Sequence, residues 1–160
     1  MSGHPRADFD ALAALDELDA SGLGIEAYAV YNPFLTNEDL RAENDRLARK
    51  LASGMVSGVC LQMGTDLAAI AAGVSRIRTL QFDTAMLCSV PVPTDAMLRR
   101  LKAKPLLGVD LPEGFFSSTA SARRMARATL ADLDAHDIDP LFFFADLDDA
   151  ALSTALGLLK

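Results

Sequence analysis

The chain has no tryptophan, two cysteines, two histidines and 6% aromatic residues in 160 positions. Each scarcity excludes something. Cys60 and Cys88 lie inside separate apolar patterns with no histidine or second cysteine at ligand spacing, so packing in a reducing compartment is expected rather than a metal centre or a disulfide framework. His4 stands near the N-terminus, and His136 ends a helical pattern where the dipole stabilises a cation, so no Ser-His-Asp arrangement assembles. Basic residues number 15 against 22 acidic ones; the net charge of -7 argues against nucleic acid or an anionic membrane surface as partner. No run of about eighteen apolar residues is present to span a bilayer. The opening MSGHPRADFD lacks the apolar stretch of a secretory leader, from which a cytoplasmic protein is expected. A phosphate loop is missing too. Gly22-Leu-Gly24-Ile-Glu-Ala27 has the letters of a dinucleotide fingerprint, but it leads from a helix into a strand and so reverses the required geometry.

What is present is a repeating alternation. At 51% hydrophobic residues the chain supports one domain with a substantial core, and no shift in composition divides it. Phe9, Leu12, Leu15 and Leu18 recur every three residues among acidic neighbours and predict an amphipathic helix ended by Ser21-Gly22. Ile25 to Tyr31 reads as a strand buried on both faces, closed by Asn32-Pro33, where a helix cannot start at once. Thr36 with Asp39 has the spacing of a capping box and opens a helix with Leu40, Leu47 and Leu51 on one side. Val56 to Gln62 is the second strand, and Gly64-Thr65 begins a helix through Leu67, Ile70 and Val74. Ala85 to Val92 is the third strand, followed by a short basic helix from Asp95 to Lys102 and by LLGVDLP, a brief strand or a loop. Thr119 to His136 is a long helix with Ala122, Ala126, Leu130 and Leu133 inward. Leu141 to Phe144 and Ala150 to Leu159 are the last strand and helix.

Strands alternating with helices at this spacing call for a parallel sheet with right-handed crossovers. The fold class is therefore α/β, with parallel βα repeats in TIM-barrel style, and four such units make half a barrel. An open four-stranded parallel sheet has two unpaired edges and a bare concave face. The sheet is thus expected to be covered, to pair with a second copy as a homo-oligomer or with a complementing half-barrel, or to belong to a longer chain. Basic residues cluster at Arg46, Arg49 and Lys50 and at Arg99, Arg100, Lys102 and Lys104, where the ordinary reading is a solvated helix face.

The order of these pieces resembles the C-terminal half of 5,10-methylenetetrahydrofolate reductases, flavin-dependent barrels of folate and one-carbon metabolism. Tyr28-Ala-Val-Tyr-Asn32-Pro33 is similar to that family's Tyr-Pro-Glu-x-His-Pro strand end, Lys50-Leu-Ala-Ser-Gly54 to its Lys-x-Asp-Ala-Gly pattern, and Leu61-Gln62 to its Thr-Gln strand end. Val90-Pro-Val-Pro93, Leu111-Pro112 and Phe142-Phe-Phe144 resemble later family segments. The resemblance implies a flavin oxidoreductase that binds FAD and a small folate-like substrate, with NADH or NADPH as donor. It places flavin contacts at Tyr28, Asn32, Glu43, Arg46, Arg49 and Lys50 and a substrate contact at Gln62. Of these, Asn32 replaces the family's histidine, while Glu43 and Arg46 replace its aspartate and asparagine. The family's later glutamine falls at Met97, its Asn-Arg pair near Leu147 and Asp148, and its essential aspartate at His4; its catalytic glutamate would lie before Met1. The residues alone leave two readings for Gln62: a ligand contact at the sheet rim, or an amide that caps a strand by bonding a neighbouring carbonyl. They leave two for the chain as well, a flavin-dependent reductase or a non-catalytic half-barrel that binds or assembles.

Overall fold

The computed structural model describes residues 11–80, 84–106, 108–109 and 111–159. Four strands, β1 (Ala27–Tyr31), β2 (Val56–Leu61), β3 (Ala85–Pro91) and β4 (Asp139–Phe143), form one sheet in the order β1-β2-β3-β4, with every pair parallel. Helix α1 (Ala11–Ser21) precedes β1, α2 (Asn37–Ala52) and α3 (Leu67–Thr79) follow β1 and β2, and α6 (Asp149–Leu158) follows β4. The β3–β4 crossover is longer. It carries α4 (Asp95–Ala103), a 3₁₀ turn at Glu113–Phe116 and α5 (Thr119–Ala135). The expected α/β alternation of four parallel strands with helices is present. Phe9 and His4, named in the sequence reading, lie outside the described residues.

Strand order equal to chain order has one consequence for the helices. Each right-handed crossover advances the same way, so α2, α3 and α5 stack on one face, joined there by Leu15 of α1 and Leu158 of α6. That face is the core: Ala29, Tyr31, Val59, Leu61, Met86, Cys88 and Val90 of the strands pack on Leu47, Leu51, Ile70, Val74, Ile77, Ala126, Leu133 and Leu158. The alternate residues point away from it. On this second face Val30 is 51%, Leu141 48% and Tyr28 42% exposed. The expectation that β1 is buried on both faces is therefore corrected: only its odd-numbered positions are covered. Cys60 and Cys88 lie one residue out of register on neighbouring strands, so their thiols point to opposite faces.

Element boundaries moved for physical reasons. Strand β1 starts at Ala27 because Gly24 has left-handed backbone (φ 62°) and Ile25 is exposed. The capping box at Thr36 does not form: its side chain makes no cap bond, and Asn37 enters the helix with φ 52°, a conformation asparagine tolerates. Asp66 caps α3 instead, accepting from the N–H groups of Ala68 and Ala69. Strand β4 begins at Asp139, with Pro140 opposite Cys88, which a proline can do on an edge strand. A smaller core of Met97, Leu101, Phe115 and Ala122 gathers α4, the 3₁₀ turn and α5, with Phe143 and Ala145 against it. It sits at the carboxyl ends of β3 and β4, where Val92 N–H donates to Phe143 O at 2.9 Å and Arg100 Nη1 to Ala145 O at 2.9 Å.

One close approach fixes α3 on β1. A Cβ placed on Gly73 would stand 2.9 Å from Pro33 Cβ and 3.1 Å from a Tyr31 ring carbon. In an exposed helix, Gly to Ala gains about 1 kcal/mol from propensity. Overpacking against a stiff proline ring costs about 1–3 kcal/mol, so Gly73→Ala should lower stability by about 1 kcal/mol in chemical denaturation; a stabilised variant would show that this contact yields. Two buried acids set an alkaline limit. Burial, then the Glu43 carboxylate, raises the Tyr31 phenol above 10.0, with Arg76 opposing, and burial followed by the neighbouring Cys60 pushes the Cys88 thiol from 9.0 up to about 12. Both groups hold their protons more tightly when folded, so their stabilising contribution is intact below pH 9 and is lost as pH rises through 9 to about 12. Denaturation midpoints should fall over that range, less steeply in Tyr31→Phe; a flat profile would contradict the burial of both groups.

Candidate functional site

In open parallel α/β sheets, ligands meet the carboxyl ends of the strands. Here those ends present Asn32 after β1 and Gln62 after β2, in adjacent register because Val30 pairs with Cys60 and Tyr31 with Leu61. Even-numbered β1 residues face the open side, so Tyr28, Val30 and Asn32 form one column and Gly58, Cys60 and Gln62 the next. The Tyr28 ring lies across Gly58, where a Cβ would come 2.2 Å from a ring carbon and 2.9 Å from the Ala85 carbonyl. Glycine at this position is what lets the ring lie down on the sheet.

The two amides flank the loop that follows α4. Asn32 Nδ2 donates to Gly108 O at 2.8 Å, and its Oδ1 accepts from Phe34 N–H at 3.1 Å. Gly108 has φ 76°, and a Cβ there would stand 3.0 Å from Asn32 Nδ2 and 3.7 Å from Gln62 Nε2. Gln62 Oε1 accepts from the N–H of buried Met63 at 3.0 Å. Its Nε2 has no hydrogen-bond partner among the described residues. The strand-cap reading thus fits the oxygen of Gln62, and no described residue takes up the nitrogen. The carbonyl-bonding role foreseen as the alternative for Gln62 is performed by Asn32.

Beside Asn32 is a buried carboxylate. Glu43 Oε1 accepts from Asn32 N–H at 3.1 Å, and Glu43 Oε2 receives Arg46 Nε at 2.9 Å and Nη2 at 2.7 Å. One helical turn separates the two residues on α2, so the fork closes within the helix. Tyr31 Oη donates to Asn44 Oδ1 at 2.8 Å on the same helix. Lys50, further along α2, extends back to donate to Val30 O at 3.3 Å. Tyr31 O accepts from Gln62 N–H and so faces β2; backbone groups alternate, hence Val30 O and Asn32 N–H both point to the free edge of β1. Lys50 and Glu43 therefore cover two groups of an edge that has no strand neighbour.

The structure brings Asn32, Glu43 and Arg46 into one network and sets Gln62 beside it across Gly108. It places Tyr28 on the same open face, two positions before Val30. Arg49 is not in this group: it is exposed, and its Nε reaches only Asp45 O of its own helix, at 3.4 Å. Of the family-matched positions that differ, Met97 is fully buried in the smaller core, Leu147 is exposed, and Asp148 caps α6 by accepting from Ala151 N–H. Sequence reading did not find Gly108, although a glycine in LLGVDLP was a signal for a left-handed turn, nor the edge-covering role of Lys50. Among the described residues no group of three or more His, Cys, Asp or Glu could hold a metal, and no helix is long and apolar enough to cross a membrane.

Compared with protein-family models and with curated proteins, the chain matches none. The weight of the Glu43 network can be measured directly. Glu43→Ala leaves the Asn32 N–H at a buried site without an acceptor and should lower stability by about 1–3 kcal/mol. Arg49→Ala, on the exposed side of the same helix, should stay within about 0.5 kcal/mol of the parent. Equal thermal midpoints for the two variants would mean that Glu43 does not hold the strand end.

Proposed function

We propose that this chain supplies half of a flavin-dependent barrel of the methylenetetrahydrofolate-reductase type, acting in the cytoplasm on a small folate-like substrate. The observation that carries the reading is the polar and aromatic equipment of the open face: the Tyr28 ring laid over Gly58, and the Gln62 amide nitrogen, which has no partner among the described residues, at the rim of the same face. An aromatic body with a hydroxyl suits one side of a planar cofactor, and an amide donor suits a ring carbonyl or ring nitrogen.

The fit to FAD is uneven. Tyr28 and Gln62 are available, and the Lys50 ammonium has two donors beyond the one on Val30, enough to meet a phosphate as a point charge. Arg46 is half-exposed and keeps its outer nitrogen free of Glu43. Asn32 and Glu43 are engaged in holding loop and strand, so they orient the rim rather than the cofactor. When bound, the flavin supplies the hydride chemistry. This chain's residues position it, exclude water from the Tyr28 side and hold a hydrogen-bond donor at the substrate edge. A half-barrel cannot enclose such a ligand alone. A second copy related by a two-fold axis along the barrel would set its β1 beside β4 of the first and make eight parallel strands. The second reading, a half-barrel that assembles without redox chemistry, is favoured by the internal engagement of Asn32 and Glu43.

Flavin titration separates the readings. FAD should bind weakly to the parent chain, and Gln62→Glu should weaken it about tenfold at unchanged thermal midpoint, since a carboxylate keeps the acceptor for Met63 N–H and removes only the donor. Absence of saturable FAD binding to the parent chain would remove the flavin reading and leave the assembly one. Pairing is read separately: partly buried Cys60 points to the open face and should alkylate more slowly as a dimer forms, while Cys88 stays protected throughout. A monomer by light scattering with Cys60 reactive at every concentration would rule out self-pairing.

A further inference from the structure

We infer that the cleft between α5 and α6 is a binding site for a small organic phosphate, independent of the flavin reading and on the opposite side of the sheet from it. The cleft has a volume of about 730 Å³ and contains Arg123, Arg124 and Arg127 of α5, facing Thr154 of α6, with Thr119 and Asp95 at its upper end. A smaller hollow of about 220 Å³ shares Arg123, Arg127 and Thr154 and continues to Ser153. The larger volume falls in the range of small-molecule sites.

The charge distribution is what needs an explanation. A chain with net charge -7 puts three guanidinium groups within five residues of one helix. Among the described residues, neither Arg123 nor Arg124 has a carboxylate within salt-bridge distance or a hydrogen-bond acceptor. The nearest acidic lining group, Asp95, accepts from the Thr119 hydroxyl and is occupied there. Arg127 is held in place by donating to Gly157 O at 2.9 Å, which fixes one wall of the cleft. Like charges one turn apart destabilise a helix by about 0.2–0.5 kcal/mol. An anion seated between α5 and α6 offsets that repulsion. Arginine forks match phosphate oxygens in pairs, and the Thr154 hydroxyl, now donating to Ala150 O, lies on the facing wall. The size of the cleft and its three arginines suit a compact phosphate ester or diphosphate.

The test uses the whole chain titrated with pyrophosphate and with inorganic phosphate at constant ionic strength, read by calorimetry and by thermal midpoint. Saturable binding with a raised midpoint is expected. The double variant R123Q/R124Q should lose about tenfold or more in affinity. The double variant R41Q/R49Q removes two equal charges from exposed positions on α2 and should bind like the parent. Glutamine is a good helix former at exposed sites, so both variants should fold; the single variant R124Q gives the same readout if the double variant does not. No saturable response to either anion at about 10 mM would overturn the site. So would equal loss in both double variants, which would show charge screening only. Anionic phospholipid vesicles should not displace pyrophosphate; displacement would assign the arginines to a membrane headgroup and overturn the small-molecule ligand.

Discussion

The constraint on which this structure depends is that four parallel strands in chain order must receive every crossover on the same side. One face is then buried by apolar side chains of α1, α2, α3, α5 and α6, and the other is left with whatever the alternate residues are. In a closed barrel those residues meet one another across the interior. Here Phe143 meets the smaller core at the carboxyl end, but further back the face is bare among the described residues: Leu141 and Val30 stand about half exposed. The sheet is held together by its helix layer, and the open face contributes little to stability and much to what the chain can contact.

The same constraint creates two free edges, and the two are treated differently. Along β1, helix α2 returns beside the strand and lends two side chains to the edge, Lys50 to a carbonyl and Glu43 to an N–H. Charged side chains on an edge are a known way of discouraging another strand from pairing. They cover only the C-terminal part, and among the described residues nothing covers the Tyr28 backbone groups on that side. Along β4 the carboxyl end is instead packed, through Phe143 and Ala145, against the smaller core of α4 and the 3₁₀ turn. The edge chemistry is thus compatible with pairing at the N-terminal part of β1 and closed to it further along.

Much of this was legible in the sequence because the signals were local. Asn32-Pro33 ends a strand by steric restriction of the residue before proline, and the spacings of Leu47 with Leu51 and of Ala122 with Ala126 and Leu133 mark the buried sides of α2 and α5. What was not legible required knowledge of distant partners. Alternating exposure in β1 could not be read from Ile25-Glu-Ala-Tyr-Ala-Val-Tyr because the outward residues are as apolar as the inward ones. The Asn32 amide bonds a carbonyl 76 residues away, and no pattern around either residue announces it. Thr36 and Asp39 had the spacing of a capping box, yet the left-handed Asn37 between them turns the chain so that the hydroxyl misses its target.

Polar residues at the rim divide into those whose hydrogen bonds are complete and those whose bonds are not, and this division carries further than their identities. Glu43 has donors on both oxygens, and Asn32 uses its backbone N–H, its amide oxygen and its amide nitrogen. Recruiting either to a ligand would first break buried bonds worth about 1 kcal/mol each and leave an unpaired group behind. Gln62 and Tyr28 carry no such penalty among the described residues: one has a nitrogen that none of them accepts from, and the other a ring held by contact with a glycine. Lys50 lies between, since moving its ammonium away uncovers only one edge carbonyl that water can satisfy. Any ligand of the open face is therefore met first by Tyr28 and Gln62, then by Lys50, while Asn32 and Glu43 fix where those groups stand.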